Sequence, residues 1–158
     1  MAAVLDDTAL YTFTGGSPAS AADLSQRYTR QVVGHSADGS EGWLNWVARL
    51  REGDAAVGYV QATVTREPLP HHPPGDAVAD RELTAEVAWV VATAYQGRGL
   101  AGEAAGAMTR WLADHGVAVL VAHVHPEHLA SAAVASRLGL LPTEVSVEGE
   151  TRWLRRLP

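Results

Sequence analysis

Residues 86–102 read EVAWVVATAYQGRGLAG, an apolar run from Glu86 to Ala92 followed by a short turn and then by Gly97, Gly99 and Gly102. The run is rich in β-forming residues, which predicts a strand buried on both faces. Beyond the loop Thr93–Gly97, Leu100, Ala104, Met108 and Trp111/Leu112 recur at helical spacing as far as about His115, and Gly116 supplies the stop. A second apolar run, Val117–His125, predicts another buried strand. Pro126 then introduces a helix over about Glu127–Leu138 that Gly139 closes. Strand, glycine turn, helix, strand is the unit around which an α/β domain is built.

Outward from this centre the signals are local. Residues 1–16 read as a helical remnant and a loop, and Ser20 opens a helix that carries Leu24, Tyr28, Gln31 and Val32 near one face and stops at Gly34. After a polar turn at 35–42, Trp43–Leu50 and Ala55–Val64 predict two antiparallel strands joined through Arg51-Glu52-Gly53-Asp54. Residues 66–84 carry four prolines and no periodicity, and read as a long loop. Thr143–Val147 and Thr151–Leu154 flank Glu148-Gly149 as a final hairpin. The order helix, β, β, β, α, β, α, β, β predicts an α/β fold with a mixed (α+β) sheet, in one domain over 1–158.

Composition excludes several chemistries. The 158 residues contain no cysteine, which removes disulfides, thiolate metal sites and cysteine nucleophiles. All 12 basic residues are arginine, so there is neither a P-loop lysine nor a Schiff-base lysine. A net charge of -6 argues against nucleic acid as partner and permits a cationic substrate. No window approaches the roughly 18 apolar residues of a membrane span, and the N-terminus lacks the regions of a signal peptide, so a cytoplasmic protein is expected.

Gly97-Arg98-Gly99-Leu100-Ala101-Gly102 matches the dinucleotide fingerprint G-x-G-x-x-G, but four residues separate it from the strand end, and the next strand ends in His123 and His125 with no acid before Glu127 to hold a ribose. Gln96-Gly97-Arg98-Gly99-Leu100-Ala101 fits Q-x-x-G-x-A instead, and at these residues the chain resembles the GNAT superfamily of acetyl-CoA dependent N-acetyltransferases. The later segment His125-Pro126-Glu127-His128-Leu129-Ala130-Ser131, with Arg137-Leu138-Gly139 beyond it, resembles the superfamily's P-x-N-x-A-S motif and its leucine-glycine helix end. Ser131 makes it closest to the ribosomal-protein alanine N-acetyltransferase branch. The resemblance implies acetyl-CoA as cosubstrate and no metal. The amides of Arg98, Gly99, Leu100, Ala101 and Gly102, after Gln96 and Gly97, would hold the diphosphate at a helix N-terminus. The edge at Val90, Val91 and Ala92 would pair with pantetheine, and His128 and Ser131 would lie against the coenzyme.

Transfer from a thioester to an amine needs a neutral amine, a polarised carbonyl and a route for one proton. The resemblance makes Glu86 a candidate base, and His123, with an ordinary pKa of about 6.5, another. Glu86 equally suits a solvated carboxylate at a strand start, and His123 a residue that lines the groove. The same strand arithmetic puts His123 and His125 on one face. Ser131 is a candidate contact to the sulfur, or a first-turn serine bonded to local backbone. His128 replaces the motif's asparagine, and Ala135 replaces the tyrosine that protonates the leaving thiolate in many members. Members also begin with a strand and helix before the segment matching Val4–Gly16, so the usual first strand is expected to be missing. The Trp43 strand would then be an open edge, and a homodimer is a possibility.

The expected activity is N-acetyl transfer to a primary amine, on a protein N-terminus or a small molecule. Two other classes stay open. One is an acetyl-CoA-binding module with little catalysis. The other is a metallohydrolase using His123, His125 and His128, whose spacing approximates H-x-H-x-D-H, with His71-His72 as further candidates that also suit a solvated loop. Trp43, Trp46, Trp89 and Trp111 read as core residues, with a substrate groove using Trp43 or Trp46 as the alternative. Asp6-Asp7, Asp38 and Glu41 read as solvated surface or as surroundings of a cationic acceptor.

Overall fold

The computed structural model describes residues 1, 4–13, 15–66 and 82–158. A 3-10 turn at Thr8–Tyr11 precedes α1, Ala21–Gln31. Ser20 caps α1 reciprocally: its hydroxyl accepts the Asp23 N–H and the Asp23 carboxylate accepts the Ser20 N–H. Next come β1 (Glu41–Arg49), β2 (Ala56–Thr65), β3 (Leu83–Val91) and α2 (Leu100–Asp114). They are followed by β4 (Val117–Val124), α3 (Leu129–Arg137), β5 (Leu141–Val147) and β6 (Glu150–Arg156). No helix among the described residues is long and apolar enough to cross a membrane.

The six strands form one sheet in the order β1-β2-β3-β4-β6-β5. Only β3 and β4 run parallel, which is what the α2 crossover between them requires. Alternation along the strands sorts the side chains. Val60, Ala62, Ala85, Val87, Leu120 and Ala122 meet Ala105, Met108 and Leu112 of α2 and Ala135 of α3 in one core. The opposite residues, including Tyr59, Gln61 and Thr63 of β2 and Glu86 and Ala88 of β3, face the side that α1 covers.

Several expectations are corrected. β3 begins at Leu83, so Leu83 and Thr84 are strand rather than loop; residues 67–81 of that expected loop, with His71 and His72, lie outside the described residues. β3 is not buried on both faces: Glu86 and Ala88 are exposed, because they lie on the face away from the core that α2 and α3 cover. Trp111 is 38% exposed and leaves the core to Ala105, Met108, Thr109 and Leu112, its ring lying instead against Trp46 and His115. Trp43, Trp46 and Trp89 are half-buried. α3 starts at Leu129 rather than Glu127. β5 starts at Leu141 and accommodates Pro142 because it is an edge strand with an irregular register between Pro142 and Ser146. β1 is the other edge, and its outer side is partly covered: Gly34–Ser36 pairs back on it through Trp43 N–H to Gly34 O and Ser36 N–H to Glu41 O.

Gly58 of β2 fixes how closely β2 and β3 approach. A Cβ there would overlap the Val90 carbonyl oxygen and crowd Val91 Cα, both backbone atoms that cannot rotate away. Gly58→Ala should therefore lower unfolding free energy by about 3 kcal/mol, the range of severe overpacking, as read by urea denaturation.

Candidate active site

The parallel ladder between β3 and β4 runs only from Leu83↔Val117 to Glu86↔Val121. Beyond it both strands continue, β3 to Val91 on its pairing with β2 and β4 to Val124 on its pairing with β6. The sheet thus opens into a wedge with Glu86 and Val121 at its apex. In the β2–β3 ladder, Ala92 N–H bonds Val57 O, so by alternation the peptide groups of Val87, Trp89 and Val91 point away from β2; the Glu86↔Val121 bridge takes the Val87 N–H, and the Val87 carbonyl with the groups of Trp89 and Val91 faces the wedge. Of the Val90–Ala92 stretch anticipated from sequence, Val91 alone turns its peptide groups toward the wedge, since Ala92 bonds Val57 and Val90 faces Tyr59 of β2, and the open edge extends back to Val87. Its far end is partly occupied, because Gln96 Nε2 donates to Val91 O at 3.0 Å and so braces the turn against β3.

That turn leads into α2. Gly97 and Gly99 have φ of 73° and 78°, a region that side-chain-bearing residues rarely adopt. Gly99 is the N-cap of α2 and has no side chain to cap it. The first helical bond is Glu103 N–H to Gly99 O, which leaves the amides of Leu100, Ala101 and Gly102 without an intrahelical acceptor. With the helix dipole behind them, these amides form an anion site. Arg98 stands over the Tyr95 ring at 5.6 Å. Arg137 of α3 reaches the same place: a Cβ on Gly102 would lie 3.8 Å from its Cδ and Nη1. Nothing in the spacing of the sequence pointed to Arg137, since only the folding of α3 against α2 brings it there.

At the apex, His123 Nδ1 and Glu86 Oε1 are 3.2 Å apart. The Glu86 side chain is 45% exposed and the His123 side chain 15%, so the carboxylate is the member of the pair that an incoming molecule meets. Across the wedge, Trp89 Nε1 donates to Ser131 Oγ at 3.2 Å. Ser131 therefore bonds an indole from β3 rather than its own helix backbone. Its hydroxyl proton has no other acceptor among the described residues. Ala135 is fully buried in the core, so position 135 offers no group to the wedge.

The three histidines of His123–His128 diverge. His123 turns to Glu86, His125 Nδ1 accepts the Glu127 N–H, and His128 stacks on Phe13 with ring centroids 4.4 Å apart. Burial, and then the neighbouring His125, hold His128 below the usual histidine range. Among the described residues no group of three or more histidines and carboxylates is placed to hold a metal ion. Phe13 also lies 5.4 Å from His125, Asp7 accepts a hydrogen bond from Ala9 N–H, and that bond and the nearby Thr93 hydroxyl hold the Asp7 carboxyl below its usual range. The segment from Asp7 to Phe13 thus runs from the end of β3 to the start of α3. Trp89 and Phe13 are contacts that sequence reading missed, because each depends on a partner more than 40 residues away.

The family described as the acetyltransferase (GNAT) domain matches residues 1–141. Among solved structures, the chain is similar to the GNAT domain of S. lividans PAT, with a TM-score of 0.67 and 23% identity over 96% of this chain and 78% of that one. It is also similar to the aminoglycoside acetyltransferase AAC(6')-Ib bound to paromomycin and acetyl-CoA, with a TM-score of 0.72 and 18% identity over 98% of this chain and 85% of that one. An acetyltransferase from Agrobacterium tumefaciens shares the fold at a TM-score of 0.66 and 21% identity, over 98% and 81% of the two chains. No curated protein matches the chain by sequence. A family match over most of its length, on a sheet split beside an uncapped glycine turn, makes this chain a member of the GNAT acetyltransferase family.

Proposed function

We propose that the protein moves the acetyl group of acetyl-CoA to a primary amine by direct attack, and that the wedge between β3 and β4 holds the coenzyme arm. The observation that carries this reading is the interrupted ladder. It leaves the Val87 carbonyl and the peptide groups of Trp89 and Val91 facing an opening that ends beside three unpaired helix amides. Two amide-bearing halves of a pantetheine arm match such an edge, and a diphosphate matches the amides of Leu100, Ala101 and Gly102 with Arg98 and Arg137 beside them. The capture of acetyl-CoA in AAC(6')-Ib, which shares the fold, supports the same assignment. Gly97 and Gly99 let the backbone approach the phosphates, Gln96 holds the turn, and His128 borders the wedge at the start of α3.

The acceptor comes from the face that α1 covers, where Glu86 and His123 lie. Glu86, the more exposed, takes the proton that the amine loses as the C–N bond forms, and His123 orients it and shares the charge. The C–S bond then breaks, and the thiolate needs a hydrogen-bond donor that residue 135 does not supply. Ser131 supplies it, its oxygen already accepting the Trp89 N–H and its own proton unused. The acceptor is a protein N-terminus, as the Ser131 motif suggests, or a small amine.

The buried Ala135 also favours a second reading, a coenzyme-binding module with little catalysis. Acetyl-CoA binding with no thiol release over a broad amine panel would select it.

Two experiments test the assignments. A carboxylate at position 99 would face the anion site, while asparagine tolerates the same positive φ. In a calorimetric titration, Gly99→Glu should therefore abolish acetyl-CoA binding and Gly99→Asn should keep it; equal behaviour would place the coenzyme elsewhere. Glu86→Gln should lower kcat by about 100-fold or more, the usual cost of losing a general base, with the acetyl-CoA Kd unchanged. Full turnover in Glu86→Gln would remove Glu86 from the reaction.

A further inference from the structure

A cavity of about 540 Å³ lies between α1 and the β1–β2 pair, a volume that suits a molecule of one or two rings. Tyr28 lines it from α1, Trp43 and Asn45 from β1, and Tyr59 and Gln61 from β2. Arg27 is the one charged side chain among the described residues of this lining; Asp23 lies one helical turn before it, and the Glu41 carboxylate accepts the Trp43 indole N–H at 3.0 Å outside the lining. Burial pushes the Tyr59 phenol up, which keeps that wall neutral at physiological pH.

Strand register connects the cavity to the reacting centre. Trp43, Thr63 and Glu86 are successive cross-strand partners, as are Asn45, Gln61 and Ala88. With strands about 4.8 Å apart, the backbone at Trp43 is ~10 Å from that at Glu86. Ala88 is exposed and presents only a methyl group between Gln61 and the wedge. The apex has a carboxylate for one amine; among the described residues that line it, the cavity offers aromatic and amide surface and one guanidinium.

Building on the acetyl-transfer reading above, we infer that the acceptor is a small primary monoamine carrying an uncharged aromatic ring, the ring seated among Tyr28, Trp43 and Tyr59 and the amine at Glu86. A polycation would bring its further ammonium groups into a lining whose one charged side chain, among the described residues, is the Arg27 guanidinium.

Steady-state thiol release from acetyl-CoA with tryptamine, spermidine and an alanine-initiated hexapeptide tests this. Tryptamine should show a kcat/KM ~10-fold or more above either competitor. Trp43→Ala should raise its KM by ~10-fold at nearly constant kcat, and Gln61→Glu should shift preference toward spermidine. Preference for spermidine or the peptide by the unaltered protein would overturn the inference. So would a tryptamine KM indifferent to both substitutions. Tryptophan fluorescence quenching by tyramine and calorimetry with acetyl-CoA separate the two levels. Failure to bind acetyl-CoA counts against the acetyl-transfer reading. Acetyl-CoA binding with neither quenching nor turnover of the aromatic amines counts against this acceptor class alone.

Discussion

After Glu86↔Val121 the parallel ladder of β3 and β4 stops while both strands go on, and this break governs the rest of the molecule. Unpaired backbone in the middle of a sheet is costly unless something satisfies it. Here each strand keeps its outer partner, β2 for β3 and β6 for β4, so neither unravels. Gln96 covers the carbonyl of Val91, and the Trp89 to Ser131 hydrogen bond spans the opening where ladder bonds would have been. The groups left over, chiefly at Val87 and Trp89, are spaced to accept an extended amide-bearing ligand. A defect in the sheet thus becomes a binding edge.

The same logic applies to the turn. A helix that begins on glycine gives up roughly a few tenths of a kcal/mol against one with a Ser or Asp cap, together with the side-chain acceptor for its first amides. α1 shows the alternative within this chain, with its full reciprocal cap at Ser20. α2 leaves three amides open beside Arg98 and Arg137, which is unfavourable for an isolated helix and favourable for one that meets an anion. His128 follows a related pattern. Stacked beneath Phe13 and next to His125, it is kept from protonating as readily as a free imidazole, so the start of α3 stays uncharged beside the wedge.

Much of this was legible in the chain itself. The glycine spacing after EVAWVVA located the turn, and apolar periodicity located six strands and three helices within a few residues. What periodicity cannot show is where a ladder ends, because Val87–Val91 reads as a fully buried strand whether or not a second strand lies alongside. For that reason the open edge back to Val87 emerged only from the fold, as did the exposure of Glu86 and Ala88. Glu86 and His123 were singled out separately as alternatives; register brings them within 3.2 Å as a pair. Arg137, Trp89 and Phe13 carried no local signal, since each acts through a residue distant in sequence. Trp111 misled for the opposite reason: its spacing fits the α2 stripe, but the stripe overhangs the sheet edge there.

The most direct test of the central idea is amide hydrogen exchange with and without acetyl-CoA. The account predicts that slowing concentrates in Val87–Val91 and in Arg98–Gly102, while β2, already paired, changes little. Tight binding of acetyl-CoA with those two segments exchanging as fast as before would contradict it.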